Sequence, residues 1–269
     1  MTDVASSTPE RGEAGHSTTV RQEFARQAPT FAQDDSFFAS EALSRWILRT
    51  VSLEGIDVAL EVACGASHFG EVMAKQVRQV VGLDLTPEML ATGQARLAER
   101  GVGNVLLQTG DVTELPFLDD SFDLVFCRFA VHHFDRPARA IAEMVRVCRP
   151  GGRVAIVDMV SRPELNERFN TMERRRDPSH TRALAVEELQ GMLAANGASV
   201  IATTDREVPM HVDRWLAQAL TPDAETAAIR AELRADLGGG TATGMRPLEK
   251  DGELHFLQDW HIAVARKGG

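Results

Sequence analysis

The sequence predicts an α/β fold, a doubly wound and mostly parallel sheet of seven strands with an antiparallel last strand, and three observations carry that expectation. Short apolar runs alternate with amphipathic segments, helix start and stop residues punctuate those segments, and the chain closes on a long alternating run. Repeated strand and helix alternation with apolar strands puts helices on both faces of the sheet. At 269 residues and 43% hydrophobic, the chain can bury such a core as one decorated domain.

Each element follows in order. Residues 1–19, "MTDVASSTPERGEAGHSTT", mix small, acidic and polar types without the apolar stretch of a signal peptide, and read as a disordered tail. Over 20–52, Phe24, Ala28, Phe31, Phe37, Phe38, Ala42, Leu43, Trp46, Ile47 and Val51 recur at helical spacing, so two helices precede the core as an N-terminal lid. Phe31, Phe37 and Phe38 either cover a ligand there or simply pack. Across 53–160, "VALEVA", "VVGLDL", "NVLLQTG", "FDLVFCRF" and "RVAIVDMV" are strands, with "GEVMAKQV", "TPEMLATGQARLAERG" and "PARAIAEMVRVCRPGG" the helices between them. Thr86 is the N-cap of the second of these helices, Pro87 its first residue and Gly101 lies past its end. Pro150 and the glycine pair stop the third. Over 161–250 the alternation breaks into helical insertions around a sixth strand, "ASVIATTDREV", which form a cap over the sheet's edge. Residues 251–269 supply the antiparallel strand "ELHFLQDWHIAVARK".

A formal net charge of -10 opposes nucleic acid and anionic membrane surfaces, which makes a small molecule the expected partner. The three cysteines, Cys64, Cys127 and Cys148, form no C-x-x-C pair; neither a disulfide framework nor a metal site is expected, and a reducing cytoplasm fits. No apolar run is long enough to span a bilayer. The long last strand and the added helices could support a homodimer.

In an open parallel sheet, ligands bind beyond the carboxyl ends of the strands. The turn in "ALEVACGASHFGEV" sits there, where Gly65 lets the backbone approach a ligand and the helix after Ser67 offers free N–H groups. Asp84 ends the second strand, where a carboxylate can accept from both ribose hydroxyls, and Asp111 in "TGDV" can accept from an exocyclic adenine amine. These describe an adenosine-bearing ligand, either a nicotinamide dinucleotide or S-adenosylmethionine. The dinucleotide fingerprint needs glycines that "ACGASH" lacks.

The blocks "LEVACGASHFG", "VVGLDLTPEML", "TGDVTELPFLDDSFDLVFCRFAVHHF" and "EMVRVCRPGGRVAIVD" occur in the order and spacing of class I S-adenosylmethionine-dependent methyltransferases, which residues 57–160 resemble. "CRFAVHHF" and "RRDPSHTR" are similar to the ubiquinone/menaquinone-type, UbiE/YcgJ-like branch. The resemblance implies a Rossmann-like sheet with S-adenosyl-L-methionine as methyl donor and S-adenosyl-L-homocysteine as product. It implies that the backbone around Ala63 to Ala66 lines the methionine part, Asp84 holds the ribose, Leu85 and Met89 flank the adenine, and Asp111 with Val112 binds its edge. Glu61, His68, Gly110, Cys127 and Arg128 are counted on the same side. His68 either touches the carboxylate or sits in the first helical turn; Arg128 faces cofactor, acceptor or a structural carboxylate. The usual G-x-G-x-G is here Ala63-Cys64-Gly65-Ala66-Ser67, which is tolerable if positions 63 and 67 need no left-handed backbone. Cys64 reads as a small packed hydrophobe.

Candidate catalytic groups are His132 and His133, which follow the fourth strand and could take an acceptor proton, with His180 in the insertion. The alternative for the pair is capping of the next helix. Arg174, Arg175 and Arg176 read as a solvated face. The expected function is methyl transfer by in-line displacement to a small C, N, O or S nucleophile; the alternatives are a nicotinamide-dependent oxidoreductase and a non-catalytic S-adenosylmethionine-binding protein.

Overall fold

The computed structural model describes residues 13–31 and 40–269. Two helices, α1 (Glu13–Phe31) and α2 (Glu41–Thr50), precede the first strand. Residues 13–19 of the tail expected to be disordered over 1–19 are helical; residues 1–12 and the pair Phe37 and Phe38 lie outside the described residues. The polar run at 13–19 is a weak helix former, and its docking against the cleft described below overrides that preference. Ser40 starts α2, its hydroxyl accepting from the Leu43 N–H at 3.4 Å.

The core then alternates as β1 (Val58–Val62), α3 (His68–Ala74), β2 (Gln79–Asp84), α4 (Pro87–Glu99), β3 (Val105–Thr109), β4 (Phe122–Arg128), α5 (Pro137–Val147) and β5 (Cys148–Val160). Prolines open α4 and α5 at their first turns, where a missing N–H leaves nothing unpaired. The insertion gives α6 (Asn166–Arg176), α7 (Val186–Ala195), β6 (Ala198–His211), α8 (Val212–Gln218) and α9 (Asp223–Leu237), and the chain ends in β7 (Pro247–Lys250) and β8 (Glu253–Lys267).

The sheet runs β3-β2-β1-β4-β5-β8-β6. The first five strands are parallel, and β8 is antiparallel to both β5 and β6. The count is one more than expected. β8 pairs with β5 only over Asp259–Arg266, and the short strand β7 takes the free stretch of the same edge at Glu253–Phe256. "PLEK" is too short and too polar to show as a strand in sequence.

Two apolar layers cover the sheet. One packs α2, α3, α8 and α9 around Phe69 and Phe126, whose rings stack at 4.5 Å; the other packs α5 and α7 around Ile141, Met144 and Leu189. Strand order reverses between β1 and β4, which opens a crevice at their carboxyl ends.

The basic run of α6 is a solvated face only at Arg174, which is exposed. Arg175 bridges to Glu225 and Glu232 of α9, and Arg176 is buried, with its guanidinium over the Trp215 ring and its Nε–H donating to the Trp215 carbonyl. A second buried arginine, Arg96 of α4, pairs with Glu71 of α3 and donates to the carbonyls of Ala66 and Ser67 at 3.1 Å each. Breaking a buried, hydrogen-bonded ion pair by removing one partner costs about 3–5 kcal/mol. Arg96→Met is accordingly expected to lower the unfolding free energy by that amount in urea titrations, and the Glu71→Gln/Arg96→Met double variant to recover part of the loss.

Candidate active site

Between β1 and α3 the backbone turns through three left-handed residues in five: Ala63 at φ 49°, Gly65 at 53° and Ser67 at 52°. The condition under which the two missing glycines would be harmless therefore does not hold. Positions 63 and 67 keep the left-handed geometry without the residue that adopts it freely, at about 1–2 kcal/mol each. Neighbouring groups impose it. The Cys64 N–H donates to Leu83 O at 3.0 Å, the Gly65 N–H to Asp84 Oδ2 at 2.7 Å, and the Ser67 N–H to Cys64 O at 2.8 Å. Arg96 holds the two carbonyls that follow.

Asp84 is buried and uses its other oxygen, Oδ1, to accept from the Thr86 N–H at 2.8 Å. Burial pushes its carboxyl up, and the bonds from Thr86 and Gly65 oppose that. Asp111 turns Oδ1 back onto the N–H and hydroxyl of Thr113, at 2.8 and 2.7 Å, and Oδ2 takes no part in those bonds. Both carboxylates line one cleft, together with Ala63, Gly65, Leu85, Met89, Gly110 and Val112.

Deeper along the turn, Glu61 accepts from the Ser67 hydroxyl at 3.1 Å and lies opposite the buried Arg128. A Cβ on Gly70 would come within 2.8 Å of the Glu61 carboxylate, so the Glu61 side chain has room because that position is glycine. Burial raises the Glu61 carboxyl to about 7 against the pull of Arg128, and lowers Arg128 to about 10. His68 lies in the first turn of α3, where its Nε2–H donates to Phe31 O at 2.7 Å and so ties α1 across the cleft. Burial and Arg96 lower it to about 4, keeping the ring neutral. Cys64 is buried, and burial pushes its thiol well up, as for a packed hydrophobe.

At the far end, a single 3₁₀ turn, Val131–His133, follows β4. His132 Nδ1 lies 2.5 Å from Asp158 Oδ1, and the His132 N–H donates to Oδ2 at 3.1 Å. A carboxylate only accepts, so Nδ1 carries the proton and Nε2 is the ring nitrogen for the cleft that His132 lines. His133 also lines the cleft, but its Nδ1–H is taken by Ser179 O at 3.0 Å; burial and His132 lower it to about 3. Around these histidines the wall is Phe129, Met159, Met210, Trp215, Gln258 and Trp260. From α1, Phe24 meets the His133 ring edge-on at 5.0 Å, and His16 Nε2–H donates to His133 O at 2.8 Å.

Two expected site residues lie elsewhere. Cys127 is wholly buried in the layer beneath α5, because strand alternation turns it into the core while Arg128 reaches the cleft. His180 sits behind His132, its ring 5.5 Å away and its Nε2–H given to Asn170 Oδ1 at 2.8 Å, and it does not line the cleft. Burial and the neighbouring rings keep it neutral. The residue missed in sequence is Asp158, a lone carboxylate at the end of "RVAIVD", and that isolation among apolar residues was its available signal.

Two stability effects follow. The folded Glu61 carboxyl titrates near 7 against an ordinary 4.5, so the folded chain binds the proton more tightly than the unfolded one. Its contribution is full below about pH 4.5 and is lost as pH rises through about 7. Glu61→Gln should flatten that slope, making the variant more stable than wild type at pH 8 by a few kcal/mol, read from urea midpoints at pH 5.5 and 8. Ala63→Gly relieves left-handed strain at the expense of unfolded-state entropy, for a net rise of about 2 °C in Tm by calorimetry.

Residues 60–156 match the family described as "Methyltransferase domain". The chain is 33% identical over 201 residues to the uncharacterized methyltransferase YcgJ of Bacillus subtilis, covering 74% of this chain and 79% of the relative. It is 31% identical over 153 residues to the demethylmenaquinone methyltransferase of Listeria monocytogenes, covering 54% of this chain and 64% of that one. The crystal structure of YcgJ superposes at a TM-score of 0.77 and 28% identity, over 86% of this chain and 100% of that chain. With its sheet order, its turn after β1 and these relatives in agreement, the chain belongs to the class I S-adenosylmethionine-dependent methyltransferases, in their YcgJ-like branch.

Proposed function

We propose that this methyltransferase moves the methyl group to a small-molecule acceptor that carries a proton at the reacting atom. The observation that carries the reading is one cleft with adenosine-type acceptors at one end, Asp84 and Asp111, and the His132–Asp158 pair at the other.

The residues fit the cofactor. Asp84 presents its carboxylate to the cleft for the ribose hydroxyls, and Asp111 keeps Oδ2 outside its own Thr113 bonds for the adenine amine. Glu61 and Arg128, opposite in charge and both buried, suit the ammonium and carboxylate of an amino-acid tail. The bound sulfonium supplies a methyl group that needs no further activation.

The protein's work is then alignment, exclusion of water and handling of the proton. Burial holds His133 neutral with a pKa too low for a base at neutral pH, so the task falls to His132 Nε2, with Asp158 fixing its tautomer and aim. α1 closes the cleft from above through its bonds to His68 and His133. Membership of the methyltransferase family sets the nicotinamide alternative aside. No described helix is long and apolar enough to cross a membrane.

The test is calorimetric titration with S-adenosylmethionine, followed by a screen of phenols, thiols, amines and activated ring carbons with a radiolabelled methyl donor. Asp84→Ala should abolish measurable binding. His132→Asn should leave binding intact and cut turnover by about 10²–10⁴-fold with protic acceptors. Binding by wild type without label transfer to any class would overturn the catalytic part of this reading.

A further inference from the structure

α1 turns one stripe to the cleft, and in its C-terminal half Phe24, Gln27 and Phe31 make up that stripe. Phe31, with Ala28 beside it, packs on Ala66 and Met89, and its carbonyl takes the His68 bond. This part of α1 therefore lies over the left-handed turn. An apolar residue is expected in the middle of such a stripe. Gln27 is there instead, 3% exposed, and its Nε2 is buried with no hydrogen-bond partner. A buried donor left unpaired destabilises the folded chain, so its retention in a ligand cleft needs a reason.

We infer that Gln27 is a further cofactor-binding residue, its carboxamide N–H donating to the carboxylate of the amino-acid tail. The inference rests on the proposed cofactor site. Asp84 and Asp111 are acceptors and take the donor groups of the nucleoside, whereas an N–H₂ group requires an oxygen. The tail carboxylate is the most strongly accepting oxygen group of the ligand, and the turn beneath Gln27 is the stretch assigned to the tail. Arg128 then supplies charge from the sheet side and Gln27 direction from the helix side. A tail carboxylate bound between the turn and α1 would satisfy the amide, so the helix itself becomes part of the binding site.

The experiment compares S-adenosylhomocysteine with 5′-methylthioadenosine, which lacks the amino-acid tail, on wild type, Gln27→Leu and Gln27→Met. Titration calorimetry gives affinities, and thermal unfolding of the unliganded proteins gives Tm. Both variants should bind S-adenosylhomocysteine about tenfold more weakly, since a hydrogen bond to a charged group is lost. They should bind methylthioadenosine as wild type does, and unfold about 2 °C higher without ligand because the unpaired donor is gone. Unchanged affinity for both ligands, with a lowered Tm, would make Gln27 a structural residue and overturn the inference. Equal weakening for both ligands would place the contact on the nucleoside and overturn the tail assignment. If wild type binds neither ligand, the cofactor reading fails first and this inference falls with it.

Discussion

The geometry of the cleft depends on holding a strained turn between β1 and α3. Two of its three left-handed residues carry side chains, so the conformation persists only because fixed partners surround it. Asp84 supplies one, from the end of the neighbouring strand, and Arg96 the others, from the helix that follows it. The Asp84 carboxylate shapes the turn through the Gly65 N–H and lines the same cleft, so one side chain anchors the backbone and faces the site.

The histidine end of the cleft is organised by strand pairing. β4 and β5 are neighbours with Arg128 opposite Val157, so the residue after the pair, Asp158, lies beside the 3₁₀ turn that carries His132. The segment 179–182 then fixes the turn from behind. Thr181 N–H and hydroxyl and Arg182 N–H all donate to the His132 carbonyl, while Ser179 holds the His133 ring. This explains why three histidines in close contact have different surroundings: His132 meets a carboxylate, while burial keeps neutral both His133, which shares the cleft, and His180 behind it.

Most of the fold was legible because apolar strands and capped helices are local signals. β1 to β5 needed only periodicity, proline and glycine. The cleft positions of Asp84, Asp111 and Gly65 were legible for the same reason, since strand ends in a parallel sheet converge. What escaped was non-local or directional. Asp158 meets His132 only through sheet adjacency, and Trp215, Gln258 and Trp260 arrive from the C-terminal third. His180 was misplaced because its packing behind His132 is non-local, whereas the inward turn of Cys127 follows from strand alternation with Arg128. The first turns of α1 escaped because Gly15, Ser17, Thr18 and Thr19 do not favour a helix alone; the cleft they cover favours it.

The short strand β7 has a consequence for solubility. β8 is 15 residues long, and its edge toward β5 would be bare from Glu253 to Phe256, a row of open amide and carbonyl groups that could template pairing with another chain. β7 folds back through the tight turn at Asp251 and Gly252 and occupies that edge, with Glu249 and Lys250 exposed at its end. Charged, short and covalently attached, it acts as a built-in guard against aggregation on the longest strand of the sheet.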